Sequence, residues 1–172
     1  MSTPSIDSFV SHAEIASGYL RELENNETFM AYRAAKSEMG TAIKTLLKTE
    51  GVKASALLAA AQELGSPRVA KKVIELAKKQ GADLTEKAAP ITLTADFIAI
   101  AKDYSAKHEA AMQLESYNAF RVEKKAYKAG MKSLLDSGSK AAELKDALEG
   151  KDIHSKFSKK VDYWTQYDWK IS

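Results

Sequence analysis

Arg121, Lys125, Lys128 and Lys132 recur at i, i+4, i+7 and i+11, so at helical periodicity they share one face. Lys124 stands at the margin of that face, and Glu123 is the sole acid in the span 121–132, pointing elsewhere. A solvated basic face normally carries interspersed glutamates that pair with its lysines. This one lacks them, so its like charges repel until an external anion neutralises them. Farther on, Tyr163, Trp164, Tyr167 and Trp169 follow directly behind Lys156, Lys159 and Lys160. Rings set among cations suit base stacking, which contributes about 1–3 kcal/mol per base and works where bases are unpaired. The same rings also suit docking of a terminal helix, or a protein–protein hot spot.

Other chemistries find little to work with. The chain has no cysteine, which removes disulfides, thiolate metal sites and cysteine nucleophiles together. Its three histidines, His12, His108 and His154, have no His partner at metal-binding spacing. Neither a Glu-x-x-His pair, nor a glycine-rich phosphate loop, nor a Gly-x-Ser-x-Gly elbow is present. The expectation is a protein that is not an enzyme and uses no cofactor and no metal. A net charge of +3 over 172 residues is too mild to decide a partner by itself; distribution matters more. The longest apolar run, at 56–61, is far too short to cross a bilayer, and the N-terminal stretch lacks the apolar core of an export signal. A cytoplasmic protein is expected, in the host cytoplasm if the source is viral.

The elements that must position these residues are written twice. Segment 29–47 lies over 117–135 at an offset of 88 residues, with Ala31/Ala119, Arg33/Arg121, Lys36/Lys124, Lys44/Lys132, Leu46/Leu134 and Leu47/Leu135 identical. The same offset pairs Phe9 with Phe97, Ser17 with Ser105, and Lys71-Lys72-Val73 with Lys159-Lys160-Val161. Near a glycine the register slips by one, and Gly51 matches Gly138. Alanine- and lysine-rich helices can align trivially, but one register held over so long a span favours a true repeat. The expected organisation is a first helical repeat over 1–84, a linker over 85–92, and a second repeat over 93–172.

Within each copy the pattern is helical throughout, and no stretch alternates β-branched with polar residues over a strand length. The expected fold is all-α, with about four helices per copy packed about a pseudo-two-fold axis. Tyr32, Met39, Ile43 and Leu46 form the core stripe of the second helix, and Phe120, Tyr127, Met131 and Leu134 form its counterpart. Phe157, Val161 and Trp164 share one side of the last helix. Ser66 is a natural N-cap with Pro67 behind it. Residues 61–76 resemble a helix-turn-helix, although Lys71 stands where that motif wants a buried aliphatic.

These readings converge on binding. Arg33, Lys36, Lys44, Arg121, Lys124, Lys125, Lys128, Lys132, Lys156, Lys159 and Lys160 would neutralise phosphates. Tyr163, Trp164, Tyr167 and Trp169 would supply stacking platforms. The partner expected is nucleic acid, single-stranded DNA or RNA before duplex, in an accessory role in viral or bacterial transcription or replication. The alternative is a small adaptor or inhibitor docking on an acidic protein surface. No membrane partner is expected, and the pattern is compatible with a homo-oligomer.

Overall fold

In the computed structural model residues 5–166 are described, with side chains through Asp162. They form helices α1 (Ile6–Leu23), α2 (Glu27–Lys48), α3 (Ala54–Glu63), α4 (Pro67–Lys79), α5 (Ala95–Met112), α6 (Glu115–Asp136), α7 (Ala141–Leu148) and α8 (Ser155–Gln166). No strand occurs among the described residues, so the chain is all-α. Helix ends follow the sequence signals. The Val69 amide donates to Ser66 Oγ with Pro67 at the first helical position, and the Ser8 amide donates to Ser5 Oγ at 3.0 Å. Gly51 and Gly138, the pair that aligns after the register slip, follow α2 and α6 with φ of +85° and +106°. A side chain there would cost roughly 1–2 kcal/mol.

Packing divides the chain into two compact units. The first joins the N-terminal segment through Asn26 with everything from Met112 on, and so unites α1 with α6, α7 and α8. Helix α1 buries Phe9, Val10, Ala13, Ala16, Leu20 and Leu23 along one face. Phe9 stacks on Tyr127 of α6 with ring centroids 5.0 Å apart. The Tyr127 hydroxyl donates to the Phe157 carbonyl at 2.8 Å and ties α6 to α8. Ser17, fully buried, accepts the His154 amide hydrogen at 2.8 Å and donates to the Ala13 carbonyl at 2.6 Å. Lys145 and Asp162 pair at 3.0 Å between α7 and α8.

The second unit is the continuous stretch Glu27–Ala111, holding α2 to α5. Helices α3 and α4 pack on each other across the turn at Gly65, and α2 lies against both. Lys71 is exposed on α4, against the demand of a helix-turn-helix core. Helix α5 closes the unit: Tyr104 stacks on Tyr32 at 6.1 Å, and His108 meets Tyr32 edge-on at 5.4 Å. Ser105 and Ser66 share a hydrogen bond at 2.7 Å between their hydroxyls.

The compact units do not coincide with the sequential spans 1–84 and 93–172. Sequence contiguity fixes only where a helix starts; the complementarity of its apolar face decides what it packs on. The span 85–92 belongs within the second unit, as a strap rather than a tether between halves. Glu86 pairs with Lys53 at 2.9 Å, and Pro90 and Ile91 line a cavity of about 200 Å³ with Ala56 and Ala60 of α3. This strap gives α5 the chain length to return onto α2 and α4.

Contacts in the two units fall at positions related by the offset of 88. Ser17 with His154 in the first unit corresponds to Ser105 with Ser66 in the second. The neighbouring rings Tyr117 and Phe120 correspond to Phe29 and Tyr32.

Candidate nucleic-acid interface

In the first unit α6 sets Phe120, Tyr127, Met131 and Leu134 in the core and turns Arg121, Lys125, Lys128 and Lys132 to solvent. Burial of one stripe thus exposes the other, as a helix with two adjacent stripes requires. Glu123 is engaged by α1, its carboxylate 2.6 Å from His12 Nδ1. Among the described residues no ion pair joins Lys125 or Lys132 to a carboxylate.

At the N-terminal end of this face the cations lie over rings. Arg121 stands 5.8 Å from the Tyr117 centroid, and its Nη1 donates to Met112 Sδ at 2.9 Å. Lys124 of α6 and Lys156 of α8 both reach Phe120, at 5.9 and 5.8 Å from its centroid. Each contact is worth about 0.5–1 kcal/mol at an exposed site. Their larger effect is positional, because they gather cations from two helices beside one buried ring. Lys159 and Lys160 are exposed on the same α8.

Phe157 and Val161 are buried, as the spacing on the last helix predicts. Tyr163 and Trp164 fall within α8, but their side chains lie outside the described residues, and Tyr167 and Trp169 lie wholly outside them. The interface described for the first unit is therefore its cationic part.

The second unit carries a thinner stripe. Arg33 and Lys44 are exposed on α2, and Lys36 is half-buried. Two cations not assigned to the site from sequence join them from α4. Lys72 lies along α2 at Gly40, where an added Cβ would stand 3.9 Å from Lys72 Cε. Its side chain is only 17% exposed. Burial first, and then the charge of Lys36, hold its pKa below the ordinary lysine value. Arg68, one turn earlier, lies against the phenols of Tyr32 and Tyr104. Burial works against its charge, but those hydroxyls prevail and hold its pKa above the usual arginine value. Its Nε–H is buried with no acceptor among the described residues, a state that costs about 1–3 kcal/mol. At the offset of 88 Arg68 and Lys72 align with Lys156 and Lys160, but nothing in that alignment shows that they are recessed.

The contacts of His154 are structural. Its Nδ1 accepts the Lys156 amide hydrogen at 3.0 Å, which leaves Nε2 to donate to Glu24 at 2.8 Å. Among the described residues no three His, Asp or Glu side chains gather as a metal-binding set, and no helix is long and apolar enough to cross a membrane. Neither the protein-family models nor the characterised proteins nor the solved structures compared with this chain yield a match.

Proposed function

We propose that the chain is a non-catalytic nucleic-acid-binding protein that prefers single strands and engages phosphates through the exposed face of α6, extended by Lys156, Lys159 and Lys160 of α8. The observation that carries this reading is the α6 face itself. Among the described residues Lys125 and Lys132 stand in solvent with no ion pair to a carboxylate, and Glu123, the sole acid in the span 121–132, is held by His12. Free energy stored in that repulsion is released when an anionic polymer supplies the countercharge. Arg33, Lys36 and Lys44 form the lesser ridge of the second unit, in keeping with its fewer exposed cations.

We further read the chain as a tandem duplication in which the first helix of each copy has changed places: α1 completes α6–α8, and α5 completes α2–α4. Support comes from the contacts that recur at the offset of 88, above all the paired serines Ser17 and Ser105.

Fluorescence anisotropy with labelled single-stranded DNA, RNA and duplex DNA at two salt concentrations tests the function. The expected result is tighter binding of the single strands, with log affinity falling against log salt by about 0.7 per phosphate neutralised. The double substitution Lys125→Glu/Lys132→Glu should weaken binding by about tenfold or more and flatten that slope. Absence of binding to every nucleic acid at low salt would overturn the reading and transfer the face to an acidic protein partner.

A further inference from the structure

We propose that Arg68, Lys72 and Lys36 of the second unit, with the phenol hydroxyls of Tyr32 and Tyr104, form a recessed site for a phosphate-type oxyanion. The site is separate from the α6 face and does not depend on the strand-binding reading. Three helices build it. Arg68 and Lys72 are one turn apart on α4, Tyr32 and Lys36 are one turn apart on α2, and Tyr104 of α5 stacks on Tyr32 at 6.1 Å.

Three features of this cluster are unfavourable in the free protein, and one ligand relieves all of them. Arg68 lies in the first turn of α4, the positive end of the helix dipole, with no acid in that turn. Its Nε–H is buried with no acceptor among the described residues. Lys72 is mostly withdrawn from water beside the charge of Lys36, and its carboxylate neighbour Glu75 stands at 4.0 Å, the outer limit of an ion pair. Packing alone does not explain two cations here, since Met or Leu would cover Tyr32 and Gly40 without these penalties. A tetrahedral oxyanion supplies the missing acceptors: the guanidinium fork takes two of its oxygens, and the ammoniums balance its charge.

The first unit lacks the same equipment. At the offset of 88, Phe120 stands for Tyr32, Ala16 for Tyr104 and Lys156 for Arg68. Cations remain there, but the hydroxyls and the guanidinium are gone. Recession also limits the ligand. Tyr32 and Tyr104 are buried, so a terminal phosphate or a small phosphorylated molecule fits better than the internal diesters of a duplex.

The test uses the full chain and inorganic phosphate, followed by calorimetry or by shifts of the tyrosine resonances, at ionic strength held constant with chloride. Saturable binding is expected, with sulfate competing. Lys72→Gln and Arg68→Met, each checked for an unchanged circular-dichroism melt, should each weaken it by about tenfold. Lys125→Glu/Lys132→Glu should leave it unaltered while reducing oligonucleotide binding, which separates this proposal from the previous one. A short single strand bearing a 5′-phosphate, compared with its 5′-hydroxyl form, identifies the source. A preference of about tenfold assigns the site to a strand end. Equal affinity alongside saturable phosphate binding assigns it to a small phosphorylated ligand. A phosphate response no different from that of chloride, or one retained in Lys72→Gln, would overturn the proposal.

Discussion

The second unit is one unbroken stretch of chain, Glu27–Ala111, whereas the first is assembled from pieces at both ends of the sequence. In the first, α1 packs on α6 and α7; in the second, α5 meets Tyr32 of α2 and Ser66 before α4 through Tyr104, His108 and Ser105. Both join that helix to the start of another through a buried or half-buried serine. They differ in what fills the interior. The first packs Phe9, Tyr127 and Phe157 ring against ring, with one phenol hydrogen bond. The second sets Tyr32 and Tyr104 against a guanidinium, with His108 meeting both rings. The lesson is that two all-helical units can be held by different interiors, an apolar centre in one and a polar one in the other. In the polar one the Arg68 Nε–H is buried with no acceptor among the described residues.

The sharpest way to break this comparison is to cut the chain. A fragment spanning 27–111 retains every helix of the second unit and should melt cooperatively with high helicity. A fragment spanning 1–84 keeps α2–α4 but loses α5, so Tyr32 faces water; it should show no cooperative transition. Circular dichroism with thermal melts reads both. If 1–84 folds and 27–111 does not, the sequential halves are the true units and the exchange of helices is refuted.

A smaller effect distinguishes the two interiors. Tyr127→Phe removes a hydroxyl that donates to the Phe157 carbonyl in a buried bond, at an expected loss of about 0.5–1.5 kcal/mol in urea unfolding. Burial also raises the Tyr127 pKa above the ordinary 10.0. The unfolded chain therefore releases that proton first, and stability present below pH 10.0 is lost as pH rises beyond it. Tyr127→Phe should reduce this alkaline loss. Tyr104→Phe in the second unit should reduce it less, because Arg68 partly offsets the burial that raises Tyr104. Equal alkaline behaviour of the two variants would erase the distinction.

The smallest expected change concerns glycines inside helices. Gly130 of α6 and Gly40 of α2 each have room for a methyl, the nearest atoms being Phe9 Cβ and Lys72 Cε at 3.9 Å. Gly130→Ala and Gly40→Ala should each stabilise by about 0.5–1 kcal/mol through reduced backbone entropy in the unfolded chain. Gly40→Ala carries a second readout. Should it alter phosphate binding while Gly130→Ala does not, the position of Lys72 along α2 matters to the site.

Much of this was legible beforehand because it is local. The i, i+4, i+7 spacing of Arg121, Lys125 and Lys128 fixes a shared face, and the adjoining spacing of Phe120, Tyr127 and Met131 fixes which side is buried. Ser66 and Pro67 announce the start of α4, and Gly51 and Gly138 the ends of α2 and α6, through backbone preferences that need no neighbour. Lys156 was legible as a cation but not as a neighbour of Lys124, since their meeting at Phe120 depends on how α8 lies on α6. Arg68 and Lys72 escaped for the same reason. On α4 alone they are two ordinary exposed cations, and only Tyr32, Gly40 and Tyr104 from other helices make them recessed.

The sequence by itself determined the helices, their caps, the two stripes and the offset of 88, because each depends on residues within a few turns of one another or on a plain comparison of one stretch with another. Tertiary structure decided which helices share a unit. Helices α1 and α5 each carry an apolar face, and nothing in a linear pattern states what that face docks on. That choice rests on contacts such as Phe9 on Tyr127 and Tyr104 on Tyr32, made between residues far apart in the chain.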